Sequence, residues 1–241
     1  MRKTSIAGIF TKVVDRKTDK NPLGQPSHCP GTTRLEQPGH KPGGIRNNPL
    51  AQYPKLDVFC YSESMRIISG NLKGREFKSP HGHKTHPMSD KIRGALFNIL
   101  GDLKGLTFLD AFAGSGGLAF EAISRGAKSV VAIDKDSSAH GTLDANVKDL
   151  NLGKQIDAVR DNTGGWSIHN MENKFDVVLL DPPYDQLQTD LLQTLADRHV
   201  KPGGLAVLSF PGKVAPPGLN SLKIIENKNY GDAQLVFYRK V

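Results

Sequence analysis

The chain has 241 residues, 37% of them hydrophobic and 23% charged, with a formal net charge of +8. That length can bury one core of moderate size plus an appendage. No apolar run reaches the about 18 residues a membrane span needs, and the basic N-terminus lacks the apolar stretch of a secretory signal.

The two cysteines, Cys29 and Cys60, both precede Met65. The remainder therefore has neither a disulfide framework nor a thiolate metal site, which fits a reducing, cytoplasmic compartment. Charge is unevenly placed. Residues 1–64 hold 10 Lys/Arg against 5 Asp/Glu, residues 65–93 hold 7 against 2, and residues 94–241 hold 15 against 17. Basic character lies ahead of the main domain, as in an arm that contacts a polyanion. The plainer reading is a solvated face that binds nothing.

Residues 1–64 carry 7 Pro and 6 Gly and show no sustained hydrophobic period. They read as a loosely ordered or disordered extension. It is either a targeting or RNA-contacting tail or an over-extended gene start. The last is favoured, because Met65 opens a new and regular pattern, and Asp15 and Asp19 are unusual in a transit peptide.

From Met65, "MRIISGNLKGREFKSP" gives two short strand-like runs, Arg66–Ser69 and Arg75–Lys78, around a Gly/Asn turn. Ser89 offers an N-cap to a helix over "DKIRGALFNIL", with Ile92, Leu96, Ile99 and Leu100 on one face and Gly101 as its stop. Strands and helices then alternate. "LTFLDAF" is a strand, Gly117–Arg125 a helix, "SVVAID" a strand and Ser137–Leu150 a helix. "QIDAVRD" is a weaker strand and "FDVVLLD" a strong one. A helix follows near Gln188–Arg198, then "GLAVLSF", and a closing strand pair, "LKIIENKNY" and "AQLVFYRKV". Continuous apolar strands alternating with helices imply an α/β fold with a mostly parallel, doubly wound sheet.

Two stretches carry chemistry. "DAFAGSGGLAFEA" ends a strand, turns through glycines and opens a helix, so its backbone can approach a ligand closely. Asp134 ends the next strand, where a carboxylate can accept ribose hydroxyls. The run from Gly114 to Ala119 satisfies the dinucleotide fingerprint. Asp110, however, directly precedes the loop; it would repel a pyrophosphate but pair with the ammonium of a methionine moiety. That turns the reading toward S-adenosylmethionine. The plainer readings are a strand-end cap for Asp110 and a helix N-terminal charge for Asp134.

The second stretch is Asp181-Pro182-Pro183-Tyr184, closing the strand "FDVVLL". In doubly wound sheets ligands bind at the carboxyl edge, so both stretches should face one crevice. The motif suits methylation of a planar exocyclic amine. Such a nitrogen must pyramidalise to attack, and acceptors aimed at its N–H groups favour that change. The Asp181 side chain and the Pro182 carbonyl can supply them, prolines hold that carbonyl rigidly, and the Tyr184 ring can stack on a flipped base. Taken alone, Tyr184 could equally be an ordinary loop aromatic, and the prolines could simply stop the strand.

From Met65 onward the chain resembles the RsmD type of bacterial 16S rRNA guanine-N2 methyltransferase. The resemblance rests on "MRIISGNLKGREFKSP", "SDKIRGALFNIL", "FLDAFAGSGGLAFEAISRGA" and "FDVVLLDPPY" and has no counterpart for residues 1–64. It implies a Rossmann-like, seven-stranded S-adenosylmethionine-dependent methyltransferase fold over residues 104–241, preceded by a basic, RNA-contacting hairpin and helix over residues 65–103. Asp110, Phe112, Gly114, Gly116, Asp134 and Asp161 would hold the cofactor, with Asp161 near the adenine. Asp181, Pro182, Pro183 and Tyr184 would hold the guanine. Arg66, Lys73, Arg75, Lys78, His86 and Arg93 would contact RNA. The chain departs from the family pattern at His86, where an arginine is usual, at Gly94, where a glutamate is usual, and at Arg160, where a glycine is usual.

The resulting expectation is an enzyme that methylates guanine N2 in 16S rRNA, on naked RNA, the 30S subunit or an assembly intermediate. It would act as a monomer in the cytoplasm, by direct in-line transfer, without a metal or covalent intermediate. A DNA adenine-N6 methyltransferase shares both motifs, but the short spacing around the core leaves no room for its usual target-recognition region. A non-catalytic RNA-binding scaffold is the rival of another class, and the intact Asp181–Tyr184 motif argues against it.

Overall fold

The computed structural model describes residues 64–79 and 88–241; the N-terminal extension and His86 lie outside them. Two sheets are present among the described residues. A small hairpin pairs β1 (Ser64–Arg66) with β2 (Glu76–Lys78). The main sheet holds β3 (Thr107–Asp110), β4 (Ser129–Asp134), β5 (Ile156–Arg160), β6 (Phe175–Leu180), β7 (Val200–Pro211), β8 (Leu222–Asn229) and β9 (Ala233–Lys240). Their spatial order is β5-β4-β3-β6-β7-β9-β8. β3 to β7 are parallel, and β9 pairs antiparallel with both β7 and β8.

Among the described residues five helices accompany the strands: α1 (Asp90–Leu100), α2 (Gly117–Ser124), α3 (Ser137–Asp149), α4 (Thr163–His169) and α5 (Thr189–His199). Alternation along the strands divides the core into two layers. Phe108, Val177, Leu179, Leu235 and Phe237 join one apolar cluster with Leu96, Phe120 and Leu143 from α1, α2 and α3. Their neighbours Leu109, Val178, Leu180, Val236 and Tyr238 join a second, with Trp166 from α4 and Leu192 and Leu195 from α5. A period of two on a sheet covered on both faces produces this split.

Ile67 and Phe77 of the hairpin segment belong to the first cluster, and the Phe77 ring meets Phe120 edge-on at 5.0 Å. The hairpin and α1 thus share the core of the main sheet. Ser89 caps α1 as expected, accepting the Ile92 N–H, and Gly101 ends it. The first hairpin strand lies earlier than expected because Ile68 and Ser69 give their N–H groups to the Glu121 carboxylate at 2.8 and 3.1 Å. Gly70 then crosses the end of α2 so closely that a Cβ there would lie 1.8 Å from the Ser124 carbonyl oxygen, at φ +86°. Only glycine tolerates both conditions. The expected helices, Ser89 cap and closing strand pair are all present; α4, between β5 and β6, is an addition.

Candidate active site

The strand order reverses between β3 and β6. β4 and β5 lie to one side, β7 to the other. Ligands of doubly wound sheets bind at such a switch point, beyond the carboxyl ends of the strands. Asp110 ends β3 opposite Leu179 of β6, so Asp181 emerges beside it. The register brings the two sequence stretches to one edge.

Asp110 is fully buried, and neither carboxylate oxygen has a hydrogen-bond partner among the described residues. Burial first, and then the neighbouring Asp181 and Asp134, lift its carboxyl from 3.8 to about 8; the N–H groups of Phe112 and Ala119 pull the other way without closing a well-aligned bond. A buried carboxylate without a partner is costly and invites a cation.

The glycine loop divides its labour. Gly116 caps α2 at φ +94°, where a Cβ would press to 2.6 Å on Leu143 and Phe120, so its role is close packing beneath the loop. A Cβ at Gly114 would meet open space, leaving this backbone accessible from the crevice. The Gly114 N–H donates to Asp134 at 2.8 Å, and the other Asp134 oxygen accepts the Asp136 N–H at 2.8 Å. Asp134 thus fixes the loop and keeps lone pairs for a further donor. Asp161 follows β5, and Phe112 packs partly buried against the second core layer.

Asp181 follows β6, Pro182 is buried, and Pro183 leads into a single tight turn, Tyr184–Gln186. Burial lifts the Asp181 carboxyl from 3.8 to about 6, opposed by the nearby Ser209 hydroxyl. Tyr184 is 41% exposed, while its hydroxyl lies 2.9 Å from the Ser209 hydroxyl. Ser209, on β7, was not legible from sequence. A lone hydroxyl in the apolar run "LAVLSF" was its one signal.

The basic residues are differently employed. Arg93 is 1% exposed. One guanidinium nitrogen donates to the Arg66 carbonyl and the Asp90 carboxylate, both at 2.8 Å. The expectation that Arg93 meets RNA is thereby corrected: on the buried face of α1, it clamps the hairpin instead. Arg75 donates to the Asp149 and Leu150 carbonyls at 3.2 and 3.3 Å, capping the end of α3. Arg66 and Lys78 hold solvent-exposed ion pairs with Asp90 and Asp149, and Lys73 is exposed. Asn146, 1% exposed, accepts the Lys78 N–H and donates to the Lys78 and Ser115 carbonyls, tying the hairpin to the glycine loop.

The family model described as "Conserved hypothetical protein 95" matches residues 65–239. YlbH of Bacillus subtilis (strain 168) is 35% identical over 183 residues, spanning 73% of this chain and 99% of that protein. The ribosomal RNA small subunit methyltransferase D of Buchnera aphidicola (subsp. Acyrthosiphon pisum, strain APS) is 36% identical, over 53% of this chain and 67% of that one.

The chain belongs to this RsmD-type family.

The solved structure of yhhF from Escherichia coli covers 73% of this chain and 98% of its own with a TM-score of 0.66 at 26% identity. The RsmD-type fold, a Rossmann-like methyltransferase sheet, is therefore the one present. The match also begins at residue 65, where the regular sequence pattern starts. The residues of this RsmD-type site fit S-adenosylmethionine. Asp110 offers an unpartnered buried carboxylate suited to a methionine ammonium, Gly114 leaves an open backbone, and Asp134 has acceptor capacity to spare.

Proposed function

We propose that this protein transfers a methyl group from S-adenosylmethionine to the exocyclic N2 of a guanine in 16S rRNA. Family membership supports S-adenosylmethionine-dependent rRNA methylation. The finer assignment is carried by one observation. The buried carboxyl of Asp110 and the Asp181–Tyr184 motif end adjacent parallel strands, so a methyl donor and an amine acceptor would share one crevice.

Bound S-adenosylmethionine supplies an electrophilic methyl group on a sulfonium. Asp110 would hold the cationic methionine end, the open backbone at Gly114 would pass beneath it, and Asp134 would accept ribose hydroxyls. On the other side the Tyr184 ring would stack against the base. The Asp181 carboxylate and the Pro182 carbonyl would each accept an N–H of the amine. That aims the nitrogen lone pair at the methyl group and offsets the positive charge growing on nitrogen. Asp181, raised to about 6, is ionised at neutral pH yet basic enough to hold the proton the nitrogen sheds. Lys73 and Lys78 would contact RNA phosphates beside this site, on naked RNA, the 30S subunit or an assembly intermediate.

Incubation with methyl-labelled S-adenosylmethionine and either small-subunit rRNA or DNA, followed by nucleoside identification, tests the assignment. N2-methylguanosine from rRNA is expected; N6-methyladenine from DNA would replace this reading with the DNA-modifying one. Asp181→Ala should lower turnover about 100-fold or more while cofactor affinity, measured by calorimetry, stays within a few-fold.

A further inference from the structure

β6 and β7 pair in parallel with Leu180 opposite Leu208, which places Ser209 beside Asp181. Ser209 is 5% exposed within a run of buried apolar residues, Leu205 to Phe210. A hydroxyl buried at such a position must be hydrogen-bonded or it destabilises the sheet. Its neighbours are the two side chains that the proposed function assigns to the acceptor base. The Tyr184 hydroxyl stands at 2.9 Å, and the Asp181 carboxyl, beside it in the strand register, is near enough for the Ser209 hydroxyl to favour its charged form.

Chemistry fixes the direction of a chain through these three groups. An ionised carboxylate only accepts, so a bond between Ser209 and Asp181 must use the Ser209 proton. The Ser209 oxygen then has only lone pairs to offer Tyr184, whose hydroxyl must donate. We propose that Ser209 is a positioning residue for the acceptor base, acting through a directed chain from the Tyr184 hydroxyl through the Ser209 hydroxyl to the Asp181 carboxylate. The inference rests on the acceptor-site reading given above. The chain pins the hydroxyl end of a partly exposed side chain, so its ring is held where a base would stack. It also keeps Asp181 charged, and so able to accept from the amine. Among the described residues, the titratable groups facing Asp181 are Asp110, from β3, and Tyr184, on its own loop. Neither is cationic, so the hydroxyl of Ser209 is the group that favours the ionised form.

Ser209→Ala, Ser209→Thr and Tyr184→Phe test this in the full chain, with small-subunit rRNA as acceptor and saturating S-adenosylmethionine. A hydrogen bond to a charged group corresponds to about one pH unit. In Ser209→Ala the acidic limb of kcat/KM should therefore move up by about that amount, so the defect is large near neutrality and shrinks at higher pH. KM for RNA should rise several-fold with cofactor affinity unchanged. Ser209→Thr should restore the limb. Tyr184→Phe should raise KM but leave the limb in place. Carboxylate NMR of Asp181 should show the same upward shift in Ser209→Ala without any turnover. An unmoved Asp181 midpoint, or a loss uniform in pH that tracks a lowered Tm, would overturn the proposal. Failure of the wild-type protein to form N2-methylguanosine would instead overturn the acceptor reading, while the NMR titration still reports on the Ser209–Asp181 bond.

Discussion

At Asp110 stability and the proposed cofactor role meet in one residue. Its carboxyl, ordinarily at 3.8, is lifted to about 8 chiefly by burial. The folded state therefore holds a proton that the unfolded chain releases, and stability should fall as pH rises from about 4 to about 8. Asp110→Asn keeps the shape and removes the titration. Its Tm should decline less over that window than the wild type's in melts at successive pH values, and it should be the more stable protein at pH 8. The same change removes the proposed partner of the cofactor's ammonium, so affinity for S-adenosylmethionine should drop about 10-fold or more by calorimetry. An Asp110→Asn protein with wild-type affinity would separate this residue from the cofactor.

Among the elements, α1 carries the clearest flaw and the clearest surprise. Gly94 sits in its interior, where glycine is about 1 kcal/mol worse than alanine. A Cβ there would rest 3.8 Å from the Ile68 side chain, an ordinary contact. Gly94→Ala should stabilise the protein by about 0.5–1 kcal/mol in denaturant titration, with activity unchanged. The surprise is Arg93, one position earlier. Charge alone marks it as a phosphate contact, but helical geometry turns it inward, where it bonds to the hairpin. α4 was missed for a related reason. Gly164 and Gly165 have poor helix propensity, and only the Asn162 cap, which accepts both of their N–H groups, signals the start.

At the scale of the molecule, the described basic segment and the proposed catalytic edge form one body. Asn146 joins the hairpin to the glycine loop, and Glu121 holds the hairpin turn against α2. Tests of RNA binding should therefore avoid residues that also support the fold. Arg75 caps α3 and is unsuitable, whereas Lys73 and Lys78 are exposed. Lys73→Glu with Lys78→Glu should weaken RNA binding and make log K against log salt shallower, by about 0.7 for each single-strand phosphate that is no longer neutralised, with Tm nearly unchanged. Binding that keeps its salt slope would place the RNA elsewhere.

The order of the elements from Met65 onward, the glycine turn and the Asp181–Tyr184 motif were legible in the sequence because each is a local event. Hydrophobic period, turn chemistry and strand-ending prolines act over a few residues. The shared carboxyl edge was also legible, since parallel strands leave little choice. The sequence could not reveal that Asp110 is buried without a partner among the described residues, that Arg93 points into the core, or that Ser209 lies beside Asp181 and bonds to Tyr184. Those facts depend on β3, β6 and β7 lying side by side and on which face α1 turns inward. Contacts between residues distant in the chain arise only when burial of the two apolar layers sets register and facing, and that is a property of the folded whole.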